Sequence, residues 1–522
     1  MILYYNGKIS TCDRKHPYAQ AMIVDGRCIV WVGNDENIPE NEYSKKIDLG
    51  GRRVLPGFID NHMHPVTFAE YNKQISILPP DIMSIEQLIE AIQKVRETTA
   101  PGEWIQGWGF DEGKLAEGRT PNRYDLDQGA SDVPVSIVRA CQHIRVVNSK
   151  ALEICGIDAH TPDPEGGQID RDEKGEPTGI LRENARLLVP PFIPKADGAE
   201  TVNMLVDLGN LLASQGIVAI GDLGSLDGTD NYERYRKAIT QGFRQDVAMY
   251  CMWEDYKDDP DFHITPEQMA EGQQLRICGL KILGDGTFSG RTAWMEEPYP
   301  GTDEYGMSTC SDELLESAID FCKKHHCQLA LHAMGRRTIR RFVDRLAAEE
   351  NFPHVRMEHV TDPAPESIAK AAKAGIAWST QPIFLYSEIE SYLANLAEDW
   401  TRRCYPIRSI LEAGVPLSLS TDSPATAWAT PSDPLVSIKA AATRVAYDGT
   451  DCSKTADGRD ERIDVETAIR LYTSEAAKTL GLHDLGRIAA GCRASFVVLD
   501  KDILTEDDVH IIATYINGER VV

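Results

Sequence analysis

Eight short apolar runs, each ending in polar residues and several followed by a helical stretch, constrain this chain more than any other feature. They are Val54 to Ile59, Ile217 to Leu223, Val247 to Trp253, Gly279 to Leu283, Gln328 to Leu331, Val355 to Met357, Ile376 to Gln381 and Val415 to Leu419. Continuous apolar runs of this length read as strands buried on both faces, and helices between them join such strands in parallel. Asp312 to His325, with Ser311 as N-cap, and Arg336 to Ala348 read as two of those helices. Eight strand-helix repeats predict an α/β chain built on a (β/α)8 TIM barrel.

The spacing is uneven. About 150 residues separate the first run from the second, where a plain barrel unit needs roughly 30. The excess contains helical segments (Ser84 to Thr98, Asn203 to Ser214) and leaves the C-terminal end of the first strand, where barrel chemistry resides, so 68–205 is expected to be an active-site cap. Both chain ends read as short strands: Ile2 to Tyr5, Ala19 to Val24 and Cys28 to Val32 at one, Ala494 to Leu499 and Ile511 to Val522, around the turn Asn517-Gly518, at the other. The expected division is a small composite β-sandwich from 1–54 and 485–522 and a hydrolase barrel over 55–484.

A hydrophobic content of 42% in 522 residues supplies a sizeable core. A formal charge of −27 argues against nucleic acid or an anionic membrane as partner, leaving a small-molecule substrate and a homo-oligomer as the open partnership. Twelve cysteines without a C-x-x-C pair fit buried thiols in a reducing compartment. The start MILYYNGKIS lacks a basic or apolar leader, and the expected location is cytoplasmic.

Six residues at or just past strand ends carry the chemistry: His62 and His64 in VLPGFIDNHMH, Lys281, His332 in QLALHAMG, His359 in VRMEHV and Asp422 in LSLSTDSP. Alternate side chains of a strand share a face, so His62 and His64 can address one cation. Barrel geometry aims all six into one mouth. Imidazole and carboxylate suit zinc and similar divalent metals. His62, His64 and Asp422 are assigned to one ion, His332 and His359 to another. A lysine buried beside cations loses its proton, and its neutral amine can add carbon dioxide to give an anionic carbamate that bridges both metals. The expectation is two zinc ions per chain and a carbamate on Lys281.

Beyond these residues, the sequence resembles the amidohydrolase superfamily, in its amidohydrolase family 3 branch. The similarity runs through PGFIDNHMH (56–64), WIQGWGFDE (104–112), GRTPNRYDLD (118–127), VVNSKALEICGI (146–157), GGQIDRDEKGEPTGILREN (166–184), LKILGDGTFSGRTA (280–293), LHAMG (331–335), MEHV (357–360), STDSP (420–424) and VVLDKD (497–502). The resemblance implies a barrel with a β-sandwich, divalent metal at the barrel mouth and hydrolysis of C–N bonds in amide-like substrates. Its metal ligands match His62, His64, Lys281, His332 and His359, and its catalytic aspartate matches Asp422. Two departures stand out: Arg336 follows LHAMG where the family usually has aspartate, and Gly491-Cys492 and Ala494-Ser495 replace the usual glycine-lysine and alanine-aspartate pairs.

The expected reaction is attack of a metal-bound hydroxide on an amide or N-substituted formamide carbonyl, with Asp422 as general base and then acid. Trp108, Phe110, Trp294, Phe384 and Tyr386 are candidates for an apolar substrate wall, and His143, Arg182, Arg291 and Gln381 for polar anchors. Two alternatives remain open: a mononuclear deaminase, which has no need of a bridging lysine, and a non-catalytic binding relative, of which loss of ligands is the usual mark.

Overall fold

The computed structural model describes residues 1–140, 144–164, 167–194, 196–224, 231–349 and 354–522. Its largest sheet has eight strands: β1 (Phe58–Met63), β2 (Ile217–Asp222), β3 (Asp246–Met252), β4 (Leu275–Leu283), β5 (Gln328–Ala333), β6 (Val355–His359), β7 (Ala377–Thr380) and β8 (Leu417–Leu419). Neighbours follow chain order and every ladder is parallel. The mixed α/β fold therefore rests on a nearly closed parallel barrel. At the remaining gap, β8 meets β1 through Asp422 N–H on the His62 carbonyl (2.8 Å) and His64 N–H on the Ser423 carbonyl (2.8 Å).

Register fixes which ends come together. Met252 pairs with Lys281, Leu283 with His332, and Ala333 with His359, so three successive strands end level. The strands are buried along nearly their whole length, as the continuous apolar runs require. The helix α1 (Asp312–His325), between β4 and β5, shows the local logic of a connection. The Ser311 hydroxyl accepts the Leu314 N–H, acids open the helix and Lys323, Lys324 and His325 close it, while Leu315, Ala318, Ile319 and Cys322 form the buried stripe.

One sequence assignment is corrected. The run Val54 to Ile59 is not a single strand: Arg53–Pro56 pairs with strands of the two chain ends, and β1 starts afresh at Phe58. Gly57 separates them because a Cβ there would lie 2.3 Å from the Val218 side chain. Arg53–Pro56 belongs to a sheet ordered Glu519–Arg520, Ile511–Ile516, Phe496–Leu499, Arg53–Pro56, Lys8–Ser10, Tyr18–Ala19. A second sheet is ordered Cys28–Gly33, Ala21–Asp25, Ile2–Tyr5, Lys45–Asp48. The two share one apolar cluster, in which Tyr4 meets the Phe496 ring edge-on at 5.3 Å and Phe496 stacks on Tyr515 at 4.3 Å. A buried bidentate pair, Arg53 to Asp502 at 2.8 Å from both Nε and Nη2, ties Arg53–Pro56 to the chain that follows Phe496–Leu499.

The chain divides into two compact units, one of 1–65, 205–426 and 432–522, the other of 66–204 and 427–431. Taken by itself, the second unit has a six-stranded sheet, Gly167–Arg171, Pro177–Glu183, Ile144–Val147, Val135–Arg139, Ile105–Phe110, Ile75–Ser76. The helix Ile85–Arg96, capped by Ser84, buries Ile85, Leu88 and Ile92, and Leu88 and Ile92 join that unit's own core. Among the described residues no helix is long and apolar enough to cross a membrane.

Candidate metal centre

Every strand-end residue singled out by sequence lies in the first unit, and the level strand ends bring five of them into one cluster. One ligand atom each of His62, His359 and Asp422 lies within 4.8 Å of the other two. Asp422 Oδ1 approaches His62 Nε2 at 3.1 Å and His64 Nε2 at 3.2 Å. The His332 and His359 ring centroids are 4.4 Å apart, and those of His62 and His359 are 4.9 Å apart. Lys281 is 1% exposed, and its Nζ makes no hydrogen bond.

Backbone geometry explains how the ligand types converge. Two carboxyl-terminal positions, His359 (φ 69°) and Asp422 (φ 59°), adopt the left-handed region that non-glycine residues rarely occupy. In a regular strand Glu358 and His359 would face opposite ways. The turn at His359, closed by Val360 N–H on the Glu358 carbonyl at 2.9 Å, lets both approach His62. Asp60, one step below His62 on β1, accepts from Thr421 N–H, Thr421 hydroxyl and Tyr472 hydroxyl, and so fixes the segment that presents Asp422. Burial pushes the Asp60 carboxyl up to about 6.

Each imidazole has one nitrogen committed to an oxygen acceptor. His62 Nδ1 meets Glu358 Oε2 at 2.6 Å, His64 Nδ1 meets the Gly224 carbonyl at 2.7 Å, His359 Nδ1 meets Gln381 Oε1 at 2.9 Å, and His332 Nε2 meets the Gly286 carbonyl at 3.1 Å. Those oxygens only accept, so the committed nitrogens carry the protons. In the neutral rings that a metal requires, the lone pairs then sit on His62 Nε2, His64 Nε2, His359 Nε2 and His332 Nδ1. Burial drives the His359 ring well below the usual imidazole range and His332 down to about 4, with His332 beside His359 and Lys281 beside His332 adding to the effect. Both rings are therefore neutral at physiological pH, as a metal ligand must be.

Charge is equally arranged. Burial opposes ionisation of Asp422, but the imidazoles that face it, His62 first and then His64, outweigh burial and hold the carboxyl well below its ordinary range. Burial lowers the Lys281 amine to about 8. His62 Nε2, Asp422 Oδ1 and Lys281 Nζ are buried polar atoms without hydrogen-bond partners, although the first two are only 3.1 Å apart. Leaving His62 Nε2 and Asp422 Oδ1 unpaired costs free energy that a cation between them would remove. The donor set, neutral imidazoles with a carboxylate, fits a divalent transition metal.

Sequence reasoning misses the supports. Glu358, Asp285 and the role of Gln381 carry no signal except adjacency to a ligand or a place in the GDG run. Asp285 is fully buried and accepts N–H bonds from Met334 (3.0 Å), Gly335 (2.7 Å) and Trp294 (2.9 Å), joining the loop after β4 to the end of β5. Burial raises its carboxyl to about 7.

The substrate-facing candidates fare differently. Gln381 is fully buried, its amide oxygen on His359 and its amide nitrogen on Ser420 Oγ (2.8 Å), so it orients a ligand and is spent as a substrate anchor. Phe384 stacks nearly parallel to His359, 6.1 Å away, within the apolar cluster behind it. Arg291 donates from Nε to Asn395 Oδ1 at 2.8 Å, and the half-buried Trp294 lies under the Arg337 guanidinium. Tyr386 faces Tyr447 with ring centroids 6.5 Å apart. Phe110 is fully buried in the core of the second unit, which corrects its placement in a substrate wall. In that unit Trp108 packs on Tyr71 and Arg182 forms a bidentate pair with Asp170. His143 lies outside the described residues. Arg336 is engaged with Asp362 at 2.7 Å, which gives this departure from the family pattern a structural partner.

Comparison with known proteins places this geometry. The model of the amidohydrolase family matches residues 45–522. A putative amidohydrolase, YtcJ, of Bacillus subtilis (strain 168) is 27% identical over 99% of this chain and 99% of its own. N-substituted formamide deformylase of Arthrobacter pascens is 27% identical over 99% of this chain and 97% of its own. The crystal structure of an uncharacterized metal-dependent hydrolase from Pyrococcus furiosus superposes with a TM-score of 0.72 at 26% identity, covering 97% of this chain and 100% of that one. The chain belongs to the amidohydrolase family and is a hydrolase that acts on carbon–nitrogen bonds.

Proposed function

We propose that this hydrolase cleaves an amide or N-substituted formamide bond of a small molecule at a metal centre made by His62, His64, Lys281, His332, His359 and Asp422. One observation carries the reading: four lone-pair nitrogens, a buried carboxylate oxygen and an unpartnered buried amine gather where the strand ends meet. The deformylase similarity supports the substrate class. A divalent cation held there supplies Lewis acidity, polarising a carbonyl and acidifying water.

The residues of the chain do the rest. His62, His64 and Asp422 would hold one ion and His332 with His359 a second, zinc being the metal this donor set suits, and Lys281 would contribute as its carbamate. Asp422 turns Oδ1 toward His62 and His64. Its Oδ2 takes the proton of the attacking water and delivers it to the departing nitrogen. With its carboxyl held well below the usual range, Asp422 is ionised, and so open to a proton, throughout the neutral range. In the same reading the two sheets of the chain ends form a β-sandwich domain.

A single-ion arrangement has one observation in its favour, because the tightest cluster joins His62, His359 and Asp422 across the two-ion division. It suits the deaminase alternative. Metal analysis of purified protein, followed by a screen of formamides, N-acyl amines and aromatic amidines for amine or ammonia release, separates the readings. Two ions with amine release support the proposal. One ion with ammonia release replaces it, and no turnover of any amide by metal-replete enzyme removes the substrate class.

A further inference from the structure

Of the four acceptors behind the imidazoles, three are neutral amide or peptide oxygens, and the one behind His62 is a carboxylate. Resting on the metal-centre reading, we propose that Glu358, clamped by Arg356, is the positioning residue that fixes the orientation and tautomer of His62 and thereby sets how strongly the centre holds its metal.

Both Glu358 oxygens are spoken for. Oε1 accepts Arg356 Nε at 2.5 Å, and Oε2 accepts Arg356 Nη2 at 2.9 Å and His62 Nδ1 at 2.6 Å. Arg356 is fixed in turn: Nη2 donates to the Asn61 carbonyl at 2.9 Å and Nη1 reaches the Tyr250 hydroxyl at 3.4 Å, which donates to Gln328 Oε1 at 2.7 Å. Glu358, His62 and Tyr250 are fully buried and Arg356 is 1% exposed. Bonds to both oxygens hold the carboxylate in place, and its contact with His62 is closed off from the solvent surface. The chain of contacts spans β1, β3, β5 and β6, so the barrel itself aims the ring.

A buried ion pair on its own returns about what its desolvation costs, so stability alone does not account for Arg356 and Glu358 at the heart of a barrel. The contact with His62 does. A neutral carbonyl orients an imidazole, whereas a carboxylate also raises the electron density at the opposite nitrogen and strengthens it as a ligand. His62 Nε2, the atom that receives this effect, faces Asp422 Oδ1 at 3.1 Å without a hydrogen bond. Of the four imidazoles, His62 is thus the anchor, and the other three rest on weaker supports.

The test uses the full-length protein stripped by a chelator and titrated with cobalt(II). Glu358→Gln keeps the shape and an acceptor oxygen but removes the charge. Expected are folded apo protein with a lowered melting temperature, because Arg356 loses its buried counter-ion, cobalt affinity lower by about 10- to 100-fold, and a shifted visible cobalt spectrum. Glu358→Asp, which keeps the charge but shortens the reach, is expected to lose affinity to a smaller extent and serves if the glutamine variant fails to fold. Wild-type affinity and an unchanged spectrum in the folded variant overturn the proposal. Wild-type protein that binds no cobalt sinks the metal-centre reading itself, a result distinguishable from failure of the Glu358 assignment.

Discussion

Asp422 is asked to be both ligand and acid-base group, and the two roles separate in a conservative variant. Asp422→Asn retains an oxygen toward His62 and His64 but has lost its basicity. Turnover is expected to fall by at least about 100-fold with metal content near wild type, which paired metal analysis and steady-state kinetics check. Full activity in that variant removes the assignment. The six candidate residues are legible in the sequence because a histidine, lysine or aspartate closing an apolar barrel strand must be desolvated, and a metal is a natural partner for it there. Gln381 reads ambiguously because a glutamine at a strand end looks the same whether it faces substrate or a ligand. Glu358 stays hidden because strand alternation puts it opposite His359, and only the positive φ at His359 undoes that. No sequence pattern announces such a turn.

The loop after β4 is held at two places. Asn395 accepts from Arg291 and donates to the carbonyls of Phe288 and Ser289, each at 3.0 Å, while Asp285 gathers three backbone N–H groups. Asp285→Ala leaves those groups without an acceptor in the interior, at about 1–3 kcal/mol each. Denaturant unfolding is expected to show a loss of several kcal/mol, and a change below about 1 kcal/mol contradicts the assigned bonds. At the chain ends Arg53 and its neighbours lower the Asp502 carboxyl to about 2 from the ordinary 3.8. A lowered carboxyl stabilises the fold above its unfolded value and loses that contribution as pH falls toward the folded one. Roughly 2 kcal/mol is expected to disappear between about pH 4 and pH 2, at ~1.4 kcal/mol per pKa unit, and in Asp502→Asn that part of the pH dependence is absent. Equal acid sensitivity of both proteins counts against it. At this scale the barrel runs are readable from length and apolarity. The join at Gly57 is not, because it depends on the approach of Val218, more than 150 residues away in sequence.

For the whole molecule, repetition of eight apolar runs is enough to name the barrel, since few other folds use so many doubly buried parallel strands. The orientation of each imidazole is not readable, because it is set by carbonyls such as Gly224 and Gly286 whose position depends on loop geometry. A centre assembled from separate strands couples metal binding to folding: ions bound to the native state alone raise stability by RT ln(1 + [L]/Kd). Stripping the metal is therefore expected to abolish hydrolysis and lower the melting temperature, with both restored by divalent metal. The most direct measurement is a crystal structure of metal-loaded protein with anomalous scattering recorded at the metal edge. The account requires peaks ligated by His62 Nε2, His64 Nε2, His359 Nε2, His332 Nδ1 and Asp422. Peaks bound through the opposite ring nitrogens, or no peak among these residues in active protein, would contradict it.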